Sequence, residues 1–96
     1  MIKRFDSKSN GDRKQRFAFA APDASCVQLV GDFTHWTKQP INLHRGTNGV
    51  WEATVDLPKG THLYRFLVDG EWRDDPKSVV LVPNPYGSHD AVTQVD

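Results

Sequence analysis

The sequence predicts an all-β fold, a sandwich of two antiparallel sheets. No long stretch carries apolar side chains at the i, i+3, i+4 and i+7 positions that indicate a helix. Short runs rich in β-branched and aromatic residues recur instead, and Gly, Pro and Asp turns separate them. The 96 residues fit a single domain, so this pattern favours one sandwich rather than two smaller units.

The first three predicted strands are residues 17–20, 26–30 and 50–57. The first alternates large and small side chains, and the second is an apolar run that stops at a Gly-Asp turn. The third alternates apolar and polar side chains strictly, which is typical of a strand with one buried face. Trp51 lies on the apolar face of this strand, so the pattern predicts that Trp51 packs in the core.

The second half of the chain predicts further strands. Asp69-Gly70 is a tight hairpin signal between two of them. In the run from 63 to 68, Arg65 alternates with core-type residues and is expected to face outward. The predicted strands are residues 63–68, 71–73, 79–82 and 91–95.

The amino-terminal segment is strongly basic. Residues 1–16 carry six Lys or Arg side chains against two Asp, a net charge of +4 that the rest of this neutral chain balances. We expect residues 1–14 to form a basic, partly flexible arm and residues 15–96 to form the β-sandwich domain. A basic arm can contact nucleic acid or an acidic partner, but the behaviour of chain termini favours a solvated leader.

Cysteine usage and hydropathy indicate a cytoplasmic location. Cys26 is the single cysteine, which excludes an internal disulfide and suits a reducing compartment. Because Cys26 opens an apolar run, we expect a small core or sheet residue rather than a reactive thiol. The sequence shows no apolar leader and no apolar stretch long enough to span a bilayer, so no membrane partner is predicted.

Four acidic residues cluster late in the chain and raise the question of catalysis. A glycosidase needs two carboxyl groups at a fixed separation across a cleft. Asp69, Glu71, Asp74 and Asp75 instead crowd one hairpin, where Asp and Gly favour a solvated turn. No nucleophile elbow or phosphate-binding glycine loop occurs, so the sequence predicts that the protein is not an enzyme.

The histidines do not predict a metal site. His35, His44, His62 and His89 are spaced unlike any metal motif, and only one cysteine could join them. The acidic run at 69–75 also fails the calcium-loop pattern, whose glycine is sixth. We therefore expect no metal and no cofactor.

Two tryptophans lie outside the core pattern and indicate a binding surface. Trp36 sits in a polar segment past a strand end, and Trp72 follows a turn. Each ring could cover one end of the sandwich. Alternatively, exposed rings form a platform, because large apolar surface left in water marks a binding site. Flat rings suit the C–H faces of pyranose sugars, and Arg65 could donate hydrogen bonds to sugar hydroxyls.

The same three side chains could stack the bases of single-stranded nucleic acid. Beyond residue 16, however, the chain carries a net charge of −4, which would repel phosphates. The residues therefore favour a sugar over a nucleic-acid partner.

Four segments follow one another along the chain: G-D-F-T-H-W at 31–36, the run 57–72, D-D-P at 74–76 and P-N-P-Y-G-S at 83–88. In this order and spacing they resemble the family-48 carbohydrate-binding modules. That family includes the early-set domains of isoamylase and glycogen-branching enzymes and the glycogen-binding domain of AMP-activated protein kinase beta subunits. The resemblance covers roughly residues 16–96 and implies an immunoglobulin-like sandwich of the early-set type.

The resemblance also implies a ligand, a chain of α-1,4-linked glucose, and a set of residues that contact it. In glycogen-binding members two tryptophans cradle the sugars, and Trp36 and Trp72 stand at their positions. A basic residue in the strand before the second tryptophan contacts hydroxyls, and here it is Arg65.

A later loop completes the site that the resemblance implies. In the family this loop supplies an apolar side chain that inserts into the curved glucan, then a hydroxyl, then an amide. Tyr86, Ser88 and Asp90 stand at these positions, so a tyrosine replaces the aliphatic residue and a carboxylate replaces the amide.

The function predicted from the sequence is non-catalytic binding of a glycogen- or starch-like α-glucan through an exposed tryptophan pair. The alternative is a protein-interaction or scaffold module in a glucan-metabolising complex that does not itself bind sugar. The expected partners are an α-glucan and, in a complex, a glucan-metabolising enzyme.

Overall fold

The computed structural model describes residues 12–78 and 80–96 of the chain. These residues form antiparallel strands and three single-turn 3₁₀ segments, with no α-helix among them. None of the described helical segments is long and apolar enough to cross a membrane. The strands are β1 (Arg13–Ala20), β2 (Val27–Gly31), β3 (Ile41–Asn42), β4 (His44–Arg45), β5 (Val50–Leu57), β6 (Gly60–Val68), β7 (Glu71–Arg73), β8 (Leu81–Pro83) and β9 (His89–Val95). The predicted all-β antiparallel fold is confirmed.

Strand β6 is the central strand of the larger sheet. One sheet has the order β1-β5-β4, and the other has the order β3-β2-β6-β9-β8 with β7 also beside β6. Strand β2 pairs with residues 64–68 along one edge of β6. Strand β9 pairs with residues 60–64 and β7 with residues 66–68, so these two share the opposite edge. The outer face of β6 therefore lies in the middle of the wider sheet.

The two sheets enclose one apolar core. The predicted alternation holds in β5 and β6, where every second side chain turns inward. Trp51 is buried as predicted, and its Nε1 donates a hydrogen bond to the carbonyl oxygen of Ala21 at 2.9 Å. The buried core consists of Phe17, Ala24, Val27, Leu29, Leu43, Trp51, Leu57, Tyr64, Phe66, Val68, Ala91 and Val95.

Strand β1 is longer than its sequence pattern predicts. It runs over Arg13–Ala20 rather than 17–20, because its whole length pairs with β5. Its polar first half is stabilised across the sheet, where Arg16 Nη2 lies 2.7 Å from Glu52 Oε1. The expected basic arm therefore overlaps the start of this strand, and most of its other residues lie outside the described part of the chain.

Two further expectations differ from the structure. Strand β8 is Leu81–Pro83 rather than 79–82, and Val79 lies outside the described residues. Cys26 is exposed, so the expectation of a small core or sheet residue is wrong. The reason is its position, because it precedes β2 and its backbone amide donates to Asp69 Oδ1 at 2.9 Å.

Candidate functional site

A cleft of about 850 Å³ lies on the outer face of the six-stranded sheet. Tyr64 and Phe66 of β6 point into the core, so the alternate residues Leu63 and Arg65 point into the cleft. The loops after β2 and β8 and the strand β7 supply its walls. All six residues predicted from the sequence to contact sugar line it. The lining residues are Trp36, Thr37, Leu63, Arg65, Trp72, Asn84, Pro85, Tyr86, Ser88 and Asp90.

Trp36 is held in place by the buried side chain of Thr34. The Thr34 hydroxyl accepts a hydrogen bond from the Gly31 amide at 2.9 Å. The same oxygen lies 3.0 Å from the carbonyl oxygen of Gly31 and 2.8 Å from that of Trp36, and its single proton serves these acceptors. One side chain thus closes the turn that carries the half-buried Trp36 ring.

The backbone at this turn adopts an uncommon conformation. His35 and Trp36 have φ values of 52° and 56°, in the left-handed region that residues with a Cβ rarely occupy. Each such residue costs on the order of 1 kcal/mol. The hydrogen bonds of Thr34 offset part of this cost, which gives the hydroxyl residue two positions before the tryptophan a structural role.

Asp32 attaches the same loop to β6. Its Oδ2 accepts a hydrogen bond from the Leu63 amide at 3.0 Å, where the pairing of β2 with β6 has ended. A Cβ on Gly31 would lie 2.4 Å from the Leu63 carbonyl oxygen, so only glycine allows this close approach. These contacts fix the backbone of the G-D-F-T-H-W segment, which carries Trp36.

Trp72 and Arg65 form one packed unit on the other side of the cleft. Trp72 lies in β7 and is 45% exposed. The Arg65 guanidinium carbon lies 5.2 Å from the Trp72 ring centroid, within the range of a cation–π contact. Arg65 Nη2 also lies 3.1 Å from Asp74 Oδ1, and the arginine side chain is only 13% exposed. Arg65 faces outward as predicted but is covered by Trp72.

The Asp69-Gly70 hairpin fixes the position of Trp72. Both residues have positive φ, 50° and 83°, as the two-residue turn predicted for this dipeptide requires. Asp69 Oδ1 accepts hydrogen bonds from the amides of Ser25 and Cys26, each at 2.9 Å. The hairpin tip is therefore tied to the start of β2.

Asp69, Glu71 and Asp74 of the acidic cluster are exposed, as the solvated-turn interpretation expects, but three of the four carboxylates also have specific partners. Asp69 binds two amides, Asp74 pairs with Arg65, and Asp75 accepts a hydrogen bond from a core tyrosine. Glu71, by contrast, contacts Arg73 within the same strand. The partners of Asp69, Asp74 and Asp75 are distant in sequence, so the local pattern could not reveal them. The carboxylates stabilise the loops that build the cleft.

Asn84 organises the third wall of the cleft, and the sequence did not single it out. Its Oδ1 accepts hydrogen bonds from the amides of Tyr86 and Ser88 at 3.0 and 3.1 Å. Its Nδ2 donates to Asp90 Oδ1 at 3.0 Å. An Asn that precedes Pro-x-Gly is a typical side-chain-bonded turn residue, which was the available signal.

The three predicted residues of this loop differ strongly in exposure. The ring of Tyr86 is 91% exposed at the loop tip, whereas Asp90 is 6% exposed in β9. Ser88 lies between these extremes. Leu63 and Thr37 also line the cleft, and both follow from their neighbours Arg65 and Trp36 once the fold is known.

The chemistry of the lining suits binding of a polyhydroxylated ligand. Aromatic rings stand beside donors from Arg65 and acceptors from Asp90 and Ser88. Across the described part of the chain, no three His, Cys, Asp or Glu residues lie close enough together to hold a metal ion.

Several curated proteins are similar to this chain. The 5'-AMP-activated protein kinase subunit beta-1 of Sus scrofa is 42% identical over 69 residues, which cover 72% of this chain and 53% of that protein. The Homo sapiens subunit beta-1 is 41% identical over 69 residues and is covered over 24% of its length. The 1,4-alpha-glucan branching enzyme GlgB of Lactobacillus acidophilus is 42% identical over 74 residues, which cover 72% of this chain and 11% of the enzyme.

These matches locate the similarity in one domain of larger proteins. The chain spans from 11% to 53% of the length of these three relatives. The model of the family described as the glycogen recognition site of AMP-activated protein kinase matches residues 15–96, which is most of the chain. The chain therefore belongs to the family of glycogen recognition domains.

Proposed function

We propose that this protein binds α-1,4-linked glucan, of the glycogen or starch type, in the cleft on the outer face of the six-stranded sheet. The observation that carries the proposal is the meeting of Trp36 and Trp72 with Arg65 in one cleft of a chain that belongs to a glycogen recognition family. Neither tryptophan belongs to the apolar core, so their rings are available for another role.

The binding energy comes from stacking and from hydrogen bonds to hydroxyls. Trp36, Trp72 and Tyr86 offer flat apolar faces to the C–H faces of glucose rings. When a ring is already partly covered by the protein, binding removes only its remaining exposed surface from water. Arg65 donates hydrogen bonds and Asp90 accepts them. A few stacked rings with exposed hydrogen bonds give weak affinity, with dissociation constants on the order of micromolar to millimolar.

We propose that the domain binds its ligand without cleaving it. Hydrolysis of a glycosidic bond by the usual route needs two carboxyl groups on either side of the scissile bond. Among the described residues, Asp90 is the only carboxylate that lines the cleft. Asp74 and Asp75 hold Arg65 and Tyr64 and do not line it.

The relatives suggest what the domain serves. Their names describe a kinase subunit and a branching enzyme, each longer than the matched region. We propose that this domain brings a glucan-metabolising enzyme to its polymer in the cytoplasm. We include neither nucleic acid nor membrane among the proposed binding partners, because the cleft does not carry a positive charge and its aromatic rings suit sugar.

Electrophoresis through gels that contain glycogen, amylopectin or hydroxyethylcellulose tests this proposal. Retardation by the two α-glucans and not by the cellulose derivative is the expected result. Trp36→Ala and Trp72→Ala should each reduce the retardation. Leu81→Ala is the matched control, because Leu81 is 43% exposed but lies outside the cleft. A folded protein that no glucan retards would contradict the proposal and favour the scaffold alternative.

A further inference from the structure

The cleft carries an unbalanced negative charge. Among the described residues, Arg65 and Asp90 are the only charged side chains that line it. The charge of Arg65 is already compensated, since its Nη2 lies 3.1 Å from Asp74 Oδ1. Asp74 itself does not line the cleft. The three groups together carry one negative charge, and it resides on Asp90.

The carboxylate of Asp90 cannot turn away from the cleft. The residue is 6% exposed, and Asn84 Nδ2 holds its Oδ1 at 3.0 Å. Asn84 is in turn fixed by the amides of Tyr86 and Ser88. The second oxygen, Oδ2, has no hydrogen-bond partner within the described part of the chain. This fixed, negatively charged oxygen can accept a hydrogen bond from a donor in the cleft, such as a hydroxyl group of a ligand.

We propose that the cleft selects uncharged glucan and discriminates against glucan that carries phosphate esters or other anionic groups. This inference rests on the proposed function, because it specifies which α-glucans the same site accepts. A sugar hydroxyl can donate to Asp90 Oδ2, whereas a phosphate monoester brings about −1.5 to −2 charge and mainly acceptor oxygens. Like charges that approach within the cleft repel each other, and this repulsion is strongest at low ionic strength.

Isothermal calorimetry with two defined sugars tests the inference. The probes are maltoheptaose and maltoheptaose that carries one phosphate monoester. At about 0.02 M salt the phosphorylated sugar should bind about fivefold more weakly or worse, and the difference should shrink at about 0.3 M salt. The measurement of this salt dependence requires only the unmodified protein.

One variant and a matched control separate the effect of the charge of Asp90 from the effect of its shape. Asp90→Asn keeps an oxygen for the Asn84 amide and removes the charge, so the ratio of the two affinities should fall towards one. Asp56→Asn is the matched control, because it removes a carboxylate from the other sheet, where Asp56 pairs with Lys14. The ratio should be unchanged in this control.

Equal or tighter binding of the phosphorylated sugar by the unmodified protein would overturn the inference while leaving the proposed function intact. So would an affinity ratio in Asp90→Asn that equals the ratio of the unmodified protein. Failure of both sugars to bind would instead contradict the proposed function, and the inference with it.

Discussion

The hydroxyl of Tyr64 donates a 2.6 Å hydrogen bond to Oδ2 of Asp75 and so links the core of the sandwich to the segment that follows β7. The other oxygen, Oδ1, accepts the Lys77 amide at 2.9 Å. Burial, the hydrogen bond and the negative charge of Asp75 all raise the pKa of Tyr64 above its ordinary value of 10.0. The neutral phenol is the form that the folded protein requires.

Alkaline pH should therefore destabilise the fold through Tyr64. The folded-state pKa is raised, so this contribution to the free energy of unfolding is complete below about pH 10 and is lost progressively above it. Tyr64→Phe should lower stability by about 1–2 kcal/mol near neutral pH, because Asp75 loses its donor. The same variant should lose less stability between about pH 10 and 11.5 than the unmodified protein does. Urea denaturation across this range measures both effects, and equal slopes above pH 10 would contradict the assignment.

The three tryptophans should separate into one structural residue and two binding residues. Trp51→Ala removes a buried ring and should cost about 3–5 kcal/mol, enough to unfold much of so small a domain. Trp72→Ala should change the melting temperature little and should abolish most retention on glycogen gels. Trp36→Ala should behave in the same way, with a somewhat larger loss of stability because its ring is half-buried.

Thermal melts and glycogen-affinity gels on the same variants provide this comparison. If Trp36→Ala and Trp72→Ala destabilise the fold as much as Trp51→Ala does, the two rings are structural lids. If both variants fold and still bind, the glucan lies elsewhere.

Thr34 should affect binding without touching the ligand. Thr34→Val keeps the shape of the side chain but removes the hydroxyl that closes the turn before Trp36. We expect a loss of about 1–3 kcal/mol, because buried amide and carbonyl groups lose their partner, together with weaker glucan retention. Thr34→Ser restores the hydroxyl and should recover most of both properties. A valine variant that binds as well as the unmodified protein would show that the turn does not depend on this clamp.

Asn84→Asp should make glucan binding depend on pH in a new way. It replaces the donor that holds Asp90 Oδ1 at 3.0 Å, so two carboxylates would lie within hydrogen-bonding distance. Like charges this close cannot both ionise easily, so one proton would be shared and its pKa raised. Binding should be weak at about pH 7 and recover towards about pH 5. Asn84→Ala should show no such recovery, and parallel pH profiles for the two variants would refute the role of the donor.

The alternation of apolar side chains was sufficient to predict much of the fold. Strand β5 and the core position of Trp51 followed directly from period-two patterning, and the hairpin followed from Asp69-Gly70. Strand β1 was underestimated because its polar half gains stability only from pairing with β5. The short strands β3 and β4 have two residues each, too few to show any period.

The members of the cleft were easier to predict than the contacts that hold them. Trp36, Trp72 and Arg65 could be predicted as members of a binding surface, because their residue types and positions do not suit a core. Asn84 and Thr34 did not, since a small polar residue in a loop is ordinary until its partners are known. Pairings such as Tyr64 with Asp75 depend on how the chain closes in space.

The walls of the cleft come from segments that are far apart along the chain. Trp36 follows β2, Trp72 follows the hairpin of β6, and Tyr86 precedes β9. The three rings can line one cleft only after β2, β7 and β9 have all paired with β6. Such non-local pairing makes folding slow, on the order of milliseconds to seconds. A glucan that contacts all three rings would bind only the fully folded chain. Such a ligand should therefore stabilise the folded state and raise the melting temperature of the entire domain.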